Sequence, residues 1–134
     1  MRQMGKTSGE TTVLVVDDDP SIRDLLRIHL GNAGYRVLLA EDAIVGGHML
    51  VKEPPDLLLL DLDMPYMTGL EFLQALKSDG SLPKFPIVFL TANPEGRELA
   101  ASLGAAGYLA KPILLNDLLN EVSKHLPGGR TPIG

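Results

Sequence analysis

Five short apolar runs, each followed by a stretch of helical periodicity, constrain this chain more than any other feature. The runs are TVLVV (12–16), RVLLA (36–40), DLLLL (56–60), PIVFL (86–90) and GYLA (107–110). In the first four of them valine, isoleucine and leucine occupy successive or nearly successive positions, so both sides of those runs are apolar. A strand lying on a single core alternates apolar with polar residues, whereas a strand apolar on both sides needs cover on both faces. Strand and helix patterns alternate along the whole chain, as they do where a parallel sheet lies between two helical layers. The expected fold class is α/β, a doubly wound five-stranded parallel sheet in a three-layer sandwich.

Helix signals sit between the runs. Asp19 reads as an N-cap, with Pro20 at the first helical position, where a missing N–H costs little. Ile22, Leu25, Leu26, His29, Leu30 and Ala33 fall on one helical face, and Gly34 can terminate that helix. Residues 43 to 52 read as a weaker helix because Gly46 and Gly47 each cost about 1 kcal/mol of propensity. Thr68 and Glu71 fit a capping box that opens a helix through Phe72, Leu73 and Leu76. A short helix is expected around residues 95 to 103. Leu115, Leu118, Leu119, Val122 and Leu126 mark the last one. The folded domain is expected over 12–126, with a loose polar arm over 1–11. Residues 127–134, PGGRTPIG, read as a flexible tail or a linker stump.

Bulk properties narrow the function. The 134 residues are 45% hydrophobic, enough for one domain with one sizeable core. No run approaches the roughly 18 apolar residues of a membrane span. The opening MRQMGKTSGE has no apolar stretch and does not read as a secretory signal. Without cysteine there are no disulfides, thiol nucleophiles or thiolate metal sites, which fits a cytoplasmic protein. The net charge is −5, the twelve Lys and Arg are scattered, and aromatics are few, so direct nucleic-acid binding is not expected.

The most apolar stretch, DLLLLDLDMPYMTG (56–69), drives Asp61 to the end of a leucine run. Ligands of such sheets bind beyond the carboxyl ends of the strands. Asp17 and Asp18 end the first strand, Asp61 the third and Thr91 the fourth, and Lys111 and Pro112 follow the fifth. With these strands as neighbours, three carboxylates, a hydroxyl and an ammonium converge on one edge. Carboxylates so crowded raise one another's pKa unless a cation neutralises them. Mg2+ prefers oxygen ligands and takes one or two carboxylates with water and phosphate oxygens. A carboxylate beside Mg2+ can attack phosphorus to give an aspartyl phosphate, and a lysine and a hydroxyl would hold the other phosphoryl oxygens.

VVDDDP, LLLLDLDMPYMTG, LTA and GYLAKP, in this order and each at a strand end, resemble the receiver domain of two-component response regulators. The resemblance covers roughly residues 12 to 126. It implies a flavodoxin-like sheet of order 2-1-3-4-5. It implies Asp61 as phosphoacceptor, Asp18 and Asp61 as direct Mg2+ ligands, Asp17 acting through water, and the backbone carbonyl of Asp63 completing the set. It further implies Lys111 paired with the phosphoryl group, Pro112 after a cis peptide bond, and Thr91 bonded to a phosphoryl oxygen after transfer. Tyr108 would be an aromatic switch, an ordinary core or interface tyrosine being the alternative. Pro65 and Gly69 would shape the loop after the acceptor, and Ala92 would leave room for the phosphoryl group.

The implied partner upstream is a sensor histidine kinase or a phosphotransfer protein. The implied output is a change in the face made by the helix near 95–103, the fifth strand and the last helix. That face would meet a downstream protein, a missing output domain, or a second copy in a dimer. Substrate turnover is not expected, so the chain is not expected to be an enzyme. Two features depart from the pattern. Twenty positions separate Thr91 from Lys111, a couple fewer than is usual for receivers, and Pro94 and Gly96 sit at the start of that segment, so the helix between them is expected to be short or partly frayed. Asp63 and Asn93 stand where receivers tune loss of the phosphoryl group.

Other residues have plainer expectations. None of the three histidines reads as a ligand or base: His29 belongs to a core boundary, His48 and His125 to the surface. Met64 and Met67 read as loop packing. Two rival readings come from other classes. One is a receiver-like binding module that takes no phosphate. The other is a haloacid-dehalogenase-type phosphatase, since DLD (61–63) is a D-x-D on an apolar strand; that family carries its D-x-D on the first strand, and here a strand-helix-strand-helix precedes it.

Overall fold

A single parallel sheet organises the chain, seen in a computed structural model that describes residues 10–64, 71, 72, 74, 75 and 85–126. Its strands are β1 (Thr12–Val16), β2 (Arg36–Ala40), β3 (Leu57–Asp61), β4 (Ile87–Thr91) and β5 (Gly107–Ala110). All neighbours are parallel and the order is β2-β1-β3-β4-β5, the order that the resemblance implied. The described helices are α1 (Pro20–Asn32), α2 (Ala43–Lys52), α3 (Gly96–Leu103) and α4 (Leu115–His125). Residues 71, 72, 74 and 75 are helical as well. Thr68, Leu73 and Leu76 of the expected capped helix lie outside the described residues, as do Pro65, Met67 and Gly69.

Alternation along the strands divides the core in two. Val13, Val15, Leu57, Leu59 and Leu109 face one side, under Leu26 and Leu30 of α1 and Leu118 and Val122 of α4. Leu14, Val16, Leu58, Leu60 and Phe89 face the other, under Leu50 of α2, Phe72 and Ala100 of α3. Each fully buried leucine contributes about 1.5–3 kcal/mol, so the central strands are fixed in register by the residues that made them legible. Asp19 caps α1 by accepting from the Ser21 amide, with Pro20 in the first turn. Gly34 follows with φ of 102°, a left-handed conformation suited to glycine.

Three expectations need adjustment. β2 is only half-buried over Arg36–Leu39, because it is an edge strand. Gly46 does more than weaken α2: a Cβ there would lie 2.9 Å from Val16 Cγ2, so the missing side chain lets the helix approach β1 closely. Leu115 is 44% exposed at the start of α4, and Ile113, from the preceding loop, is buried instead. The short helix expected near 95–103 is present as the eight residues of α3.

Candidate functional site

The carboxyl ends of β1, β3, β4 and β5 bring Asp17, Asp18, Asp61, Thr91 and Lys111 to one edge. Register places them there: Val16 pairs with Leu60, Asp61 with Leu90, and Thr91 with Ala110. Carboxylate oxygens of Asp17, Asp18 and Asp61 lie within 4.8 Å of one another. Asp17 and Asp61 are buried and Asp18 is exposed, so the cluster opens to solvent on one side.

Each buried carboxylate has fixed partners. Asp17 Oδ1 accepts from the Asp19 amide at 2.9 Å. Lys111 Nζ lies 3.1 Å from Asp17 Oδ2 as an ion pair, and among the described residues this buried oxygen has no other partner. Asp61 Oδ1 accepts from the Asp63 amide at 3.0 Å and from Lys111 Nζ at 3.2 Å. Lys111 therefore bridges both acids. The Lys111–Pro112 peptide bond is cis, as the resemblance implied. Arg23, one turn into α1, donates to the Asp17 carbonyl at 2.7 Å and so braces the β1–α1 loop. No sequence signal marked Arg23.

Electrostatics follow from burial. Burial raises the Asp61 carboxyl from 3.8 to about 6. The Asp63 amide opposes this, the Asp17 charge adds to it, and the Lys111 charge opposes it. For Lys111, burial alone would lower the ammonium, but Asp17 and then Asp61 outweigh it and the pKa is raised. The site thus holds more negative charge than one lysine neutralises. Three clustered carboxylates, one with a buried oxygen met only by the lysine that Asp61 shares, suit a hard divalent cation with oxygen ligands.

Thr91 is placed differently. It is buried, and its Oγ1 accepts from the Asn93 amide at 3.0 Å. Alternation in β4 puts Thr91 on the side of Phe89, whereas Asp61 falls on the side of Leu59. Tyr108 pairs with Phe89, packs at the margin of that same core and is half-buried. The Arg97 guanidinium stands 5.9 Å from its ring centroid. Ala92 and the Asp63 side chain are exposed, and Met64 is buried in the acceptor loop. His29 is half-buried and His48 exposed, as expected. His125 is not a plain surface residue: it is half-buried with Nε2 3.0 Å from Glu121 Oε2.

Residues 13–123 match the response regulator receiver domain family. Among similar proteins, the response regulator MprA of Mycobacterium ulcerans is 43% identical over 109 residues, covering 80% of this chain and 46% of that protein. MprA of Mycobacterium leprae is 41% identical over 112 residues, covering 82% and 48%. The chain thus spans about half the length of these curated relatives. Of solved structures, chemotaxis protein CheY4 of Vibrio cholerae superposes with a TM-score of 0.78 at 34% identity, covering 87% of this chain and 99% of that one. TrrA of Thermotoga maritima, solved in complex with Mg(2+)-BeF, gives 0.76 at 32% identity with coverage of 87% and 99%. The match excludes the phosphatase reading of the D-x-D. Together with the acidic pocket of Asp17, Asp18 and Asp61, it shows that this chain belongs to the response regulator receiver domain family and is a two-component signalling domain rather than an enzyme.

Proposed function

We propose that Asp61 is the phosphoacceptor, taking a phosphoryl group from a phosphohistidine on a sensor histidine kinase or a phosphotransfer protein. The observation that carries this is the Lys111 bridge, an ammonium fixed 3.1–3.2 Å from Asp17 and Asp61 where incoming phosphoryl oxygens need a cation. The carboxylates of Asp18 and Asp61 would hold Mg2+ directly, with Asp17 through water and the Asp63 carbonyl. A bound Mg2+ screens the carboxylate from the phosphate and spreads charge in the transition state. TrrA, solved with magnesium and beryllofluoride, supports this choice of ion for a similar pocket.

In this reading an Asp61 oxygen attacks phosphorus, and the phosphorus–nitrogen bond to the donor histidine breaks. Lys111 pairs with the transferred group and Thr91 turns to bond one of its oxygens. Ala92 leaves room, Pro65 and Gly69 shape the acceptor loop, and Pro112 orients the turn after Lys111. Tyr108 then changes packing, and the α3–β5–α4 face changes its affinity for a downstream protein, an output domain or a second copy. The receiver unit spans 12–126 and works in the cytoplasm. Among the described residues no helix is long and apolar enough to cross a membrane.

Intact-mass spectrometry after incubation with a small phosphodonor tests this directly. A single phosphoryl adduct is expected that needs Mg2+ and is absent in Asp61→Asn. No adduct, together with no binding of beryllofluoride, would favour a receiver-like binding module.

A further inference from the structure

The first turn of α3 touches both halves of the switch, and it does so through a glycine. Gly96 opens α3 and is buried. A Cβ built on it would lie 2.8 Å from Thr91 Cγ2 and 2.9 Å from Tyr108 Cδ2, with Tyr108 Cε2 at 3.2 Å. All three distances are shorter than side chains tolerate without moving. Gly96 is therefore the floor of a slot whose walls are the methyl of Thr91 and the ring of Tyr108. The chain between Thr91 and Gly96 is also tied. The Asn93 amide donates to Thr91 Oγ1, the Gly96 amide donates to the Asn93 carbonyl at 3.0 Å, and the Glu95 amide donates to Asn93 Oδ1 at 2.8 Å. Next along α3, Arg97 stands over the Tyr108 ring.

The Thr91 hydroxyl is occupied by Asn93, and its methyl presses on Gly96. Turning the hydroxyl toward a phosphoryl oxygen on Asp61, as the proposed function requires, would break the Asn93 contact and move the methyl from its place against Gly96. We infer that Gly96 is a positioning residue that holds the balance of the switch: its missing side chain lets Thr91 and Tyr108 pack against α3 in the resting state. The inference rests on Thr91 sensing the phosphoryl group. A side chain at position 96 raises the energy of the resting arrangement and so favours the turned one, without touching the phosphoryl site.

The test measures beryllofluoride affinity in Mg2+ by calorimetry for wild type, Gly96→Ala, Thr91→Ser and Thr91→Ser/Gly96→Ala. Gly96→Ala is expected to bind about fivefold tighter, since a larger share of the protein is already turned. The gain is expected to shrink in the serine background, where the methyl wall is gone. A merely structural glycine would give weaker or unchanged binding, and either result overturns the inference. If wild type itself fails to bind, the underlying reading of Thr91 and Asp61 falls and this inference with it. If Gly96→Ala alone does not fold, cutting back both walls in Thr91→Ser/Tyr108→Ala should restore folding to it. A variant that stays unfolded there overturns the slot.

Discussion

The two faces of the sheet do different work at the same strand ends. On one face, under α1 and α4, lie Asp17, Asp61 and Lys111, a charged cluster buried against apolar strands. On the other, under α2 and α3, lie Thr91, Gly96 and Tyr108, which carry no charge and meet through packing and hydrogen bonds. The charged face is electrostatically unfinished, with two buried acids sharing one ammonium, so a cation and a phosphoryl group change its energy strongly. The neutral face is sterically finished, with a glycine as its smallest part, so it responds to a shift of its neighbours rather than to charge. In the proposed function, chemistry and readout are separated by one layer of backbone, and Thr91 at the end of β4 is where they meet.

Removing charge from the first face should have the largest effect. Lys111→Met leaves two buried carboxylates without their counter-ion, and we expect about 3 kcal/mol lower stability in chelator at pH 7, read by denaturant titration. A loss near zero would mean that the bridge is a solvated surface pair. Asp61→Asn should act in the opposite direction. The Asp61 pKa is raised from 3.8 to about 6 in the folded protein. Its contribution is thus fully present below the lower value and lost as pH rises through the higher one. In chelator, wild-type stability should fall by roughly 2–3 kcal/mol between pH 4 and pH 7 through this group. Asp61→Asn should remove most of that slope and be the more stable protein at pH 7. Added Mg2+ should stabilise wild type and have little effect on the variant. An equal slope in both proteins would place the cost elsewhere.

Changes on the second face should be small for stability and large for signalling. Among the described residues the Thr91 hydroxyl has one neutral hydrogen bond, from Asn93, so Thr91→Ala should lower stability by only about 1 kcal/mol. It should nevertheless abolish the response of Tyr108 to beryllofluoride. Arg97→Ala removes a single exposed cation–π contact and should cost about 0.5 kcal/mol, the smallest change of the set. A stability loss at Thr91 as large as that at Lys111 would erase the distinction between the faces.

Much of this was legible in the sequence because the strands are apolar on both sides and their ends are not. Asp17, Asp18, Asp61, Thr91 and Lys111 stood out as polar residues terminating apolar runs, and the sheet brings their ends together. Asp19 and Pro20 gave the start of α1 through local chemistry alone. Other features depend on relations that a linear reading lacks. Gly96 reads as a helix weakener until β4 and β5 are in register and its missing Cβ is seen to face both Thr91 and Tyr108. Leu115 fits the period of α4 but is exposed, since the helix meets the sheet only from Leu118 onward. Arg23 reads as a polar residue on a surface helix, although its guanidinium bends back to the Asp17 carbonyl.

The coupling between the faces is tested most directly by backbone amide NMR during titration with beryllofluoride and Mg2+. Amides near Asp17, Asp61 and Lys111 and those of Asn93, Gly96 and Tyr108 should shift with one shared midpoint in wild type. In Thr91→Ala, the shifts should be confined to the charged face. Wild-type shifts at Asp61 and Lys111 with Asn93, Gly96 and Tyr108 unmoved would contradict the account, because the acidic pocket would then bind its ligand without informing the other side of the sheet.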